Sequence, residues 1–487
     1  MLEGNHTHSI FCGSKSFTYL YLQILTHDIF MKKLLFSVAL GTMALGVSAQ
    51  QLTDTELKEI QSSFVLDQPT KALQNVLVGD ANLKKLGLNH DLQGQIDHFF
   101  KYKVDVKGIT NQYSSGRCWM FTSMNVLRPR VMKQLNINEF DFSHNYTFFW
   151  DMFEKSNLFL ANMIATADRP MDDRDVVFYM QSPIGDGGVW NLFWNVAEKY
   201  GVVPQSVMPE TAHSNNTGQM RNFINARLRA GGYQLRNMIA EKKSQKEVAA
   251  AKTAIMKDVY RVLALCLGNP PTEFEWRYTT KDGEIKTMKS TPKEFYNQIT
   301  PDDYDPSSYI MIMNDPTREY YKTYEVQNYR NSYEGVNWIY LNMPNEDIKK
   351  AAVASIKANE AMYCSADVAQ FNRAEGICDP KMYDLETLFG VKIDMDKKAR
   401  ILTRESGSAH AMTLMAVDTD ENEVPVKWQF ENSWGASSGH NGYMTFTDDW
   451  FNEYMFRIVI NKKYLSEKAV KAAKKKPVQL PAWDYMF

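Results

Sequence analysis

The stretch NQYSSGRCWMF, residues 111–121, decides how this chain is interpreted, because it places Cys118 directly after a turn that contains Ser and Gly. Apolar residues recur at three- and four-residue spacing as far as Leu135, which predicts a helix that begins near Cys118 and that Pro129 kinks or ends. A thiol at a helix start is either a nucleophile or a small buried side chain. This stretch alone leaves both interpretations open.

Length, charge and cysteine spacing restrict the class of protein. At 487 residues the chain is long enough for two to four structural units with a substantial buried core. A formal net charge of -2 provides no global attraction for nucleic acid or an anionic membrane, so neither is expected as a partner. The cysteines form no CxxC pair and have no zinc-ligand spacing, and we therefore predict no metal and no cofactor.

A targeting segment is predicted at residues 31–49. Two lysines precede an apolar run at 34–47 and a small-residue cleavage site near Ala49, which is the pattern of a secretory signal peptide. The apolar run is shorter than the roughly 20 residues that cross a bilayer. We therefore expect cleavage near Ala49 and export to the periplasm or to the outside, and we interpret residues 1–30 as a non-native upstream extension.

The pattern of the sequence changes along the chain. Helical patterns dominate to about residue 268, and one amphipathic helix follows SPIGDGGV and stops at Gly201. From residue 336 onward, short β-patterned runs predict an antiparallel β unit with the form of a half-barrel. Within it, HAMTLMAVD and VKWQFEN are joined by an acidic turn and form a hairpin that brings Asn432 close to His410.

Four residues have the chemistry of thiol-based amide cleavage. A thiolate attacks an amide, so a catalytic cysteine needs a helix N-terminus or a histidine beside it. Cys118 has the first by prediction, and His410 is the candidate base. Asn432 would fix the imidazole through a hydrogen bond, and the Gln112 carboxamide would donate to the oxyanion. Each feature is weak alone, but together they predict that Cys118 is a nucleophile.

These motifs resemble those of a known enzyme family. GRCWMF with Gln112 upstream, SAHAMTLMAVD around His410 and ENSWG from Glu431 are similar to the papain superfamily of cysteine peptidases. Ser115 and Arg117 stand where the usual signature has its first cysteine and its small residue. The local disulfide that is common in the superfamily therefore cannot form in this chain.

The spacing of the motifs indicates a branch of that superfamily. Cys118 and His410 lie 292 residues apart, whereas about 130 to 150 residues separate them in simple members, so a large insertion is expected. IGDGGVWNLFWNVAEKYGVVPQSVMPET, LALCLGNPP and FENSWG together resemble the bleomycin hydrolase and aminopeptidase C family, over nearly all of residues 55–487. The resemblance implies an α+β, papain-like two-lobed cysteine peptidase fold with large helical insertions.

The resemblance also implies how the chain is divided. After the extension and the signal peptide we expect a helical catalytic lobe with Cys118, a mainly helical insertion for oligomerisation, a β-rich catalytic lobe with His410 and Asn432, and a C-terminal arm. The boundaries are 1–30, 31–49, 50–204, 205–335, 336–465 and 466–487. Peptide substrates and further copies of the chain, in a homohexamer, are the partners that the family implies.

Substrate-binding residues follow from the same resemblance. Gly187 and Gly188 match a strip where a peptide backbone lies close to the enzyme, and Trp434 should shield the histidine–asparagine pair from water. Phe487 ends an arm, LPAWDYMF, that in the family lies in the cleft near the free amine of the substrate. The implied function is a cysteine-type aminopeptidase of broad specificity that forms a thioester acyl-enzyme. Because this arm is shorter than is typical of the family, a dipeptidyl peptidase or endopeptidase on the same scaffold is the alternative.

Overall fold

The structure, a computed structural model, describes residues 51–92, 94–105, 108–300, 306–368 and 375–486. The predicted upstream extension and signal peptide lie outside the described residues and stay predictions. The chain divides into two compact units, Met1–Leu83 and Lys84–Phe487.

The described part of the first unit contains two capped helices, α1 (Asp54–Ser63) and α2 (Gln68–Gly79). The Thr53 hydroxyl accepts from the Glu56 N–H and the Glu56 carboxylate accepts from the Thr53 N–H, so donors that a helix start leaves unpaired are satisfied. Asp67 caps α2 by accepting from the N–H three residues further on. Local hydrogen bonds thus account for both helix starts.

The helical lobe is built around the helix that begins at Cys118. Its elements are α3 (Leu83–Leu86), β1 (Tyr102–Lys103), α4 (Cys118–Gln134), α5 (His144–Ala165), α6 (Arg174–Gln181) and α7 (Trp190–Tyr200). The predicted start of α4 is confirmed, and so is the end of α7 at Gly201, which has a φ of 75°. Pro129 was expected to kink or to end α4: the end is wrong, because the helix continues to Gln134, and the kink stays a prediction. Proline inside a helix costs about 3 kcal/mol, and burial of Val131 and Met132 beyond it contributes about 1.5 to 3 kcal/mol each, which offsets the loss.

The insertion begins with two long helices that pack closely. Its elements are α8 (Gly218–Ala240), α9 (Gln245–Leu267), the hairpin of β2 (Phe274–Thr279) and β3 (Ile285–Ser290), and α10 (Pro292–Ile299). A Cβ on Gly231 would lie 2.8 Å from Ile255 of α9, and one on Gly232 would lie 2.8 Å from Met163 of α5. The two glycines therefore let α8 approach both α9 and the helical lobe.

The β-rich lobe is a mixed sheet. Its strands in the described residues are β4 (Tyr309–Met313), β5 (Thr323–Val326), β6 (Ile339–Asn342), β7 (Met362–Ala366), β8 (Ile377–Cys378), β9 (His410–Thr419), β10 (Pro425–Glu431), β11 (Tyr443–Thr447), β12 (Met455–Asn461) and β13 (Val478–Leu480). Their order is β13-β5-β6-β4-β12-β7-β9-β10-β11-β8, and β1 pairs with β9. The β runs predicted after residue 336 are confirmed. The purely antiparallel unit is wrong, because β13 with β5, β4 with β6 and β11 with β8 form parallel pairs.

Strands from four predicted segments form this one sheet, because β1, from residues 50–204, pairs with β9. β4 and β5 come from residues 205–335 and β13 comes from residues 466–487, so the sheet crosses both predicted boundaries of the β-rich lobe. The accompanying helices are α11 (Asn345–Lys357), α12 (Leu385–Phe389), α13 (Lys397–Thr403), α14 (Asp448–Tyr454) and α15 (Glu467–Ala473). Helix α4 packs against β9, which brings the segment that starts at Cys118 to the strand that starts at His410. No helix within the described ranges has both the length and the apolar character that crossing a membrane requires.

Candidate active site

The Cys118 thiol lies at the first residue of α4, beside a cavity of about 840 Å³. Burial raises the pKa of this thiol, while backbone hydrogen bonds from Ala411 and Trp119 lower it, and the net result is a pKa above the ordinary value. A nearby proton acceptor is therefore needed to form the thiolate. The cavity is also lined by predicted residues from both lobes: Gln112, Gly187, Gly188, His410 and Trp434.

The His410 imidazole is held from two sides. Its Nε2 lies 2.8 Å from Asn432 Oδ1, as the predicted hairpin requires, and its ring stacks on Trp434 at a centroid distance of 4.5 Å. Asn432 Oδ1 also accepts from the Ser433 N–H, which turns the amide oxygen rather than the amide nitrogen toward the ring. In the neutral ring Nε2 therefore carries the proton, and Nδ1 is the basic nitrogen.

The Gln112 side chain is buried and has a defined amide orientation. Its Nε2 donates to the Ser115 carbonyl over 2.6 Å, and its Oε1 accepts from the Ser433 hydroxyl over 2.7 Å. Because a carbonyl oxygen only accepts, the amide nitrogen must face Ser115. That nitrogen has a second hydrogen, and Gln112 lines the same cavity as Cys118. A tetrahedral oxyanion on a substrate bound to Cys118 needs a donor of this kind.

Gly187 and Gly188 differ in their surroundings. A Cβ on Gly188 would lie 2.7 Å from the Trp119 ring, whereas one on Gly187 would have no heavy atom within 4 Å. The Gly187 carbonyl accepts from Lys155 Nζ over 2.8 Å, and the same ammonium pairs with Asp151 at 2.7 Å. Close packing therefore requires Gly188, while Gly187 leaves open space along the wall of the cavity.

The C-terminal arm reaches the cavity through Met486. Arg457 Nη2 donates to the Met486 carbonyl over 2.6 Å, and Arg318 pairs with Asp484 at 2.5 Å. The arm is therefore anchored as far as its last described residue. Phe487, which the sequence predicts to bind substrate, lies outside the described residues.

Several side chains that line the cavity were not predicted from the sequence. They include Asp186, Arg221, Tyr329, Arg457 and Met486. Asp186 precedes Gly187 in the GDGG motif, so a signal for it was available. Met486 belongs to the arm LPAWDYMF, which the resemblance already places in the cleft. Arg221, Tyr329 and Arg457 come from distant segments, and no motif connects them with Cys118.

The cavity thus combines a thiol, an imidazole held by an asparagine, and an amide donor. Acyl transfer through a thioester uses this set of groups. Over the part of the chain that the structure describes, no three or more His, Cys, Asp and Glu side chains are grouped so as to hold a metal ion.

The chain is similar to known proteins over most of its length. The model of the Peptidase C1-like family matches residues 51–487. Bleomycin hydrolase of Homo sapiens is 38% identical over 423 residues, covering 83% of this chain and 93% of that protein. Aminopeptidase C of Lactobacillus delbrueckii subsp. lactis is 38% identical over 398 residues, covering 80% of this chain and 88% of that protein. The crystal structure of PepW from Lactobacillus rhamnosis HN001 matches with a TM-score of 0.86 at 35% identity, covering 90% of this chain and 99% of that one.

Proposed function

Because the chain belongs to the peptidase C1-like family, as a papain-like cysteine aminopeptidase related to bleomycin hydrolase and aminopeptidase C, we propose that Cys118 is its nucleophile, His410 its base and Asn432 the group that orients the base. Gln112 is the proposed oxyanion donor. One observation carries the proposal: the imidazole that Asn432 holds at 2.8 Å lines the same cavity as the thiol at the start of α4.

The first half-reaction forms a thioester. Nδ1 of His410 takes the thiol proton, because burial opposes spontaneous ionisation of Cys118. The thiolate attacks the carbonyl carbon of the peptide bond, the Sγ–C bond forms, and the carbonyl electrons move to oxygen. A Gln112 N–H donates to that oxyanion. When the oxyanion collapses, the C–N bond breaks and the imidazolium gives its proton to the leaving amine.

The second half-reaction releases the acyl group. His410 takes a proton from water, and the resulting hydroxide attacks the thioester carbonyl. The C–S bond then breaks, the carboxylic acid leaves, and Cys118 regains its proton from the imidazolium. The proposed reaction therefore consumes one water for each peptide bond and needs no other reactant.

The C-terminal arm is the proposed reason for cleavage near a free amino terminus. Met486 lines the cavity, and the contacts of Arg457 and Arg318 hold this segment in place. An arm fixed at one end of a cleft leaves room there for only a short amino-terminal part of the substrate. The proposed substrates are peptides with free amino termini and varied side chains, cleaved one residue at a time. Release of dipeptides or of internal fragments is the alternative.

A pair of peptides tests this proposal. The protein is given a peptide with a free amino terminus and the same peptide with an acetylated amino terminus, and the products are identified by mass spectrometry. The free peptide should be shortened from its amino end, and the acetylated one should be hydrolysed much more slowly. Equal rates on both peptides would refute trimming directed by the arm.

Export and assembly are further proposals. The signal-peptide pattern supports export, and the amino-terminal sequence of the protein made by its native host would test cleavage near Ala49. The resemblance to bleomycin hydrolases and aminopeptidases C supports a homohexamer. The mass of the protein in solution, measured by light scattering, would contradict a homohexamer if it matched the mass of a single chain.

A further inference from the structure

Asp186 joins the turn before α4 to the helical insertion. Its Oδ2 accepts from the Gly116 N–H over 2.7 Å and from the Thr217 hydroxyl over 2.5 Å, and its Oδ1 accepts from Arg221 Nη1 over 2.5 Å. Gly116 lies two residues before Cys118, whereas Thr217 and Arg221 belong to the start of α8. One carboxylate thus connects three segments that are far apart in sequence.

Asp186 packs closely against residues before and after Cys118. A Cβ at Gly116 would lie 2.6 Å from Asp186 Oδ1, so no larger residue fits in the turn. The main-chain carbonyl of Asp186 accepts from Trp119 Nε1 over 2.9 Å, one residue after Cys118. Asp186 therefore forms hydrogen bonds with residues on either side of Cys118, and its position determines how the turn leads into α4.

Asp186 also contributes a charge to the site. Burial alone raises its pKa, but hydrogen bonds from Thr217 and Gly116 and the charges of Arg221 and Lys155 outweigh burial and hold the pKa below its ordinary value. After burial itself, which is the largest cause, the Asp186 charge is one of the factors that raise the pKa of the Cys118 thiol. Arg221 is partly exposed, lines the cavity, and forms an ion pair with the Asp186 carboxylate at 2.5 Å.

We propose that Asp186 and Arg221 are a positioning pair for the nucleophile, in which the carboxylate holds the turn before Cys118 and the arginine of the insertion balances its charge. The insertion then contributes to the active site as well as to the fold. This inference rests on the proposed role of Cys118.

The pH dependence of Cys118 alkylation by iodoacetamide tests the pair. In Arg221→Gln the carboxylate loses its ion-pair partner while the charge of Lys155 remains, so the midpoint of thiol reactivity should rise by roughly half a pH unit or more. In Asp186→Asn the negative charge is lost, and the midpoint should fall by a similar amount. Arg227→Gln is the matched control, because Arg227 lies on the same helix and pairs with Asp258 at 2.8 Å on the surface. Its midpoint should equal that of the wild type.

The outcomes separate this inference from the proposed function. Midpoints that do not move in the two variants, or that move in the same direction, would overturn the pair. Because Arg221 is 32% exposed, its variant should stay folded even if Asp186→Asn does not, and thermal unfolding verifies this. If iodoacetamide does not react with Cys118 in the wild type, or if Cys118→Ala keeps its activity, the proposed function fails instead.

Discussion

Replacing Gln112 with alanine should remove most of the turnover and leave substrate affinity nearly unchanged. One hydrogen on Nε2 is donated to the Ser115 carbonyl at 2.6 Å, and the other is the proposed donor to the oxyanion. Because the oxyanion forms only on the way to the thioester, the lost hydrogen bond lowers kcat and does not raise KM. Loss of one such donor costs about 2.7 to 4 kcal/mol, which corresponds to a decrease in kcat of roughly 10²- to 10³-fold.

The same substitution should also destabilise the fold. Gln112 is 5% exposed, and its removal takes the amide oxygen away from the Ser433 hydroxyl. A buried polar group left without its partner costs about 1 to 3 kcal/mol, so the free energy of unfolding should fall by about that amount. Ser433→Ala is a matched control, because it removes the same 2.7 Å hydrogen bond and keeps the donor to the oxyanion.

The assay is steady-state hydrolysis of a peptide with a free amino terminus, with thermal unfolding to verify that each variant is folded. Gln112→Ala should lose at least about 10²-fold in kcat, and Ser433→Ala should lose less than about tenfold. A kcat for folded Gln112→Ala within tenfold of the wild type would refute the oxyanion role. Equal losses in the two variants would show that the hydrogen bond between the side chains, and not the donor, is responsible.

Four further substitutions give distinct outcomes. Asn432→Ala removes the 2.8 Å partner of the imidazole and should lower kcat about tenfold in the same assay, and an unchanged kcat would contradict the orienting role. Burial lowers the pKa of Lys397 to about 7 from 10.5, so unfolding takes up a proton between these pH values, and the free energy of unfolding rises with pH by up to about 1.4 kcal/mol per pH unit. Urea unfolding at pH 7 and pH 9.5 should therefore show a smaller rise in Lys397→Met than in the wild type. An equal rise in both proteins would exclude Lys397 as the source of the pH dependence. Gly188→Ala places a Cβ 2.7 Å from the buried Trp119 ring and should destabilise the protein by about 1 to 3 kcal/mol. Gly187→Ala, in open space, should instead raise KM at a nearly constant melting temperature. Equal melting temperatures of the two variants would contradict the packing argument.

Features with a local signal were the ones that the sequence predicted well. The start of α4 follows from a turn before a helix, and the end of α7 follows from a glycine that adopts positive φ. The hairpin of β9 and β10 follows from two β-patterned runs joined by an acidic turn. The prediction that α4 could end at Pro129 failed because the cost of a proline in a helix is visible in the sequence, whereas the burial that offsets this cost depends on tertiary packing. The short strands β4, β5 and β13 were missed because each has a partner far away along the chain: β4 pairs with β12, and β5 pairs with β13.

The candidate site likewise contains residues with a local sequence signal and residues that only the tertiary fold brings together. Cys118, His410 and Asn432 could be found because their chemistry and their surrounding motifs are specific, and the hairpin supplies the distance between the last two. Asp186 was missed although it lies in the GDGG motif, because the resemblance assigned a role only to the two glycines that follow it. Arg221 was missed because an arginine on an amphipathic helix is an ordinary surface feature. Only the fold brings Arg221 Nη1 within 2.5 Å of the carboxylate and places both residues at the cavity.

Product analysis on a peptide of defined sequence tests the central claim most directly. The wild type and Cys118→Ala are incubated with a peptide that has a free amino terminus, and the products are followed over time by mass spectrometry. The wild type should yield a ladder of peptides that lose one amino-terminal residue at a time, and Cys118→Ala should yield no products. The same ladder from Cys118→Ala, or internal fragments as the first products of the wild type, would contradict a Cys118-dependent aminopeptidase.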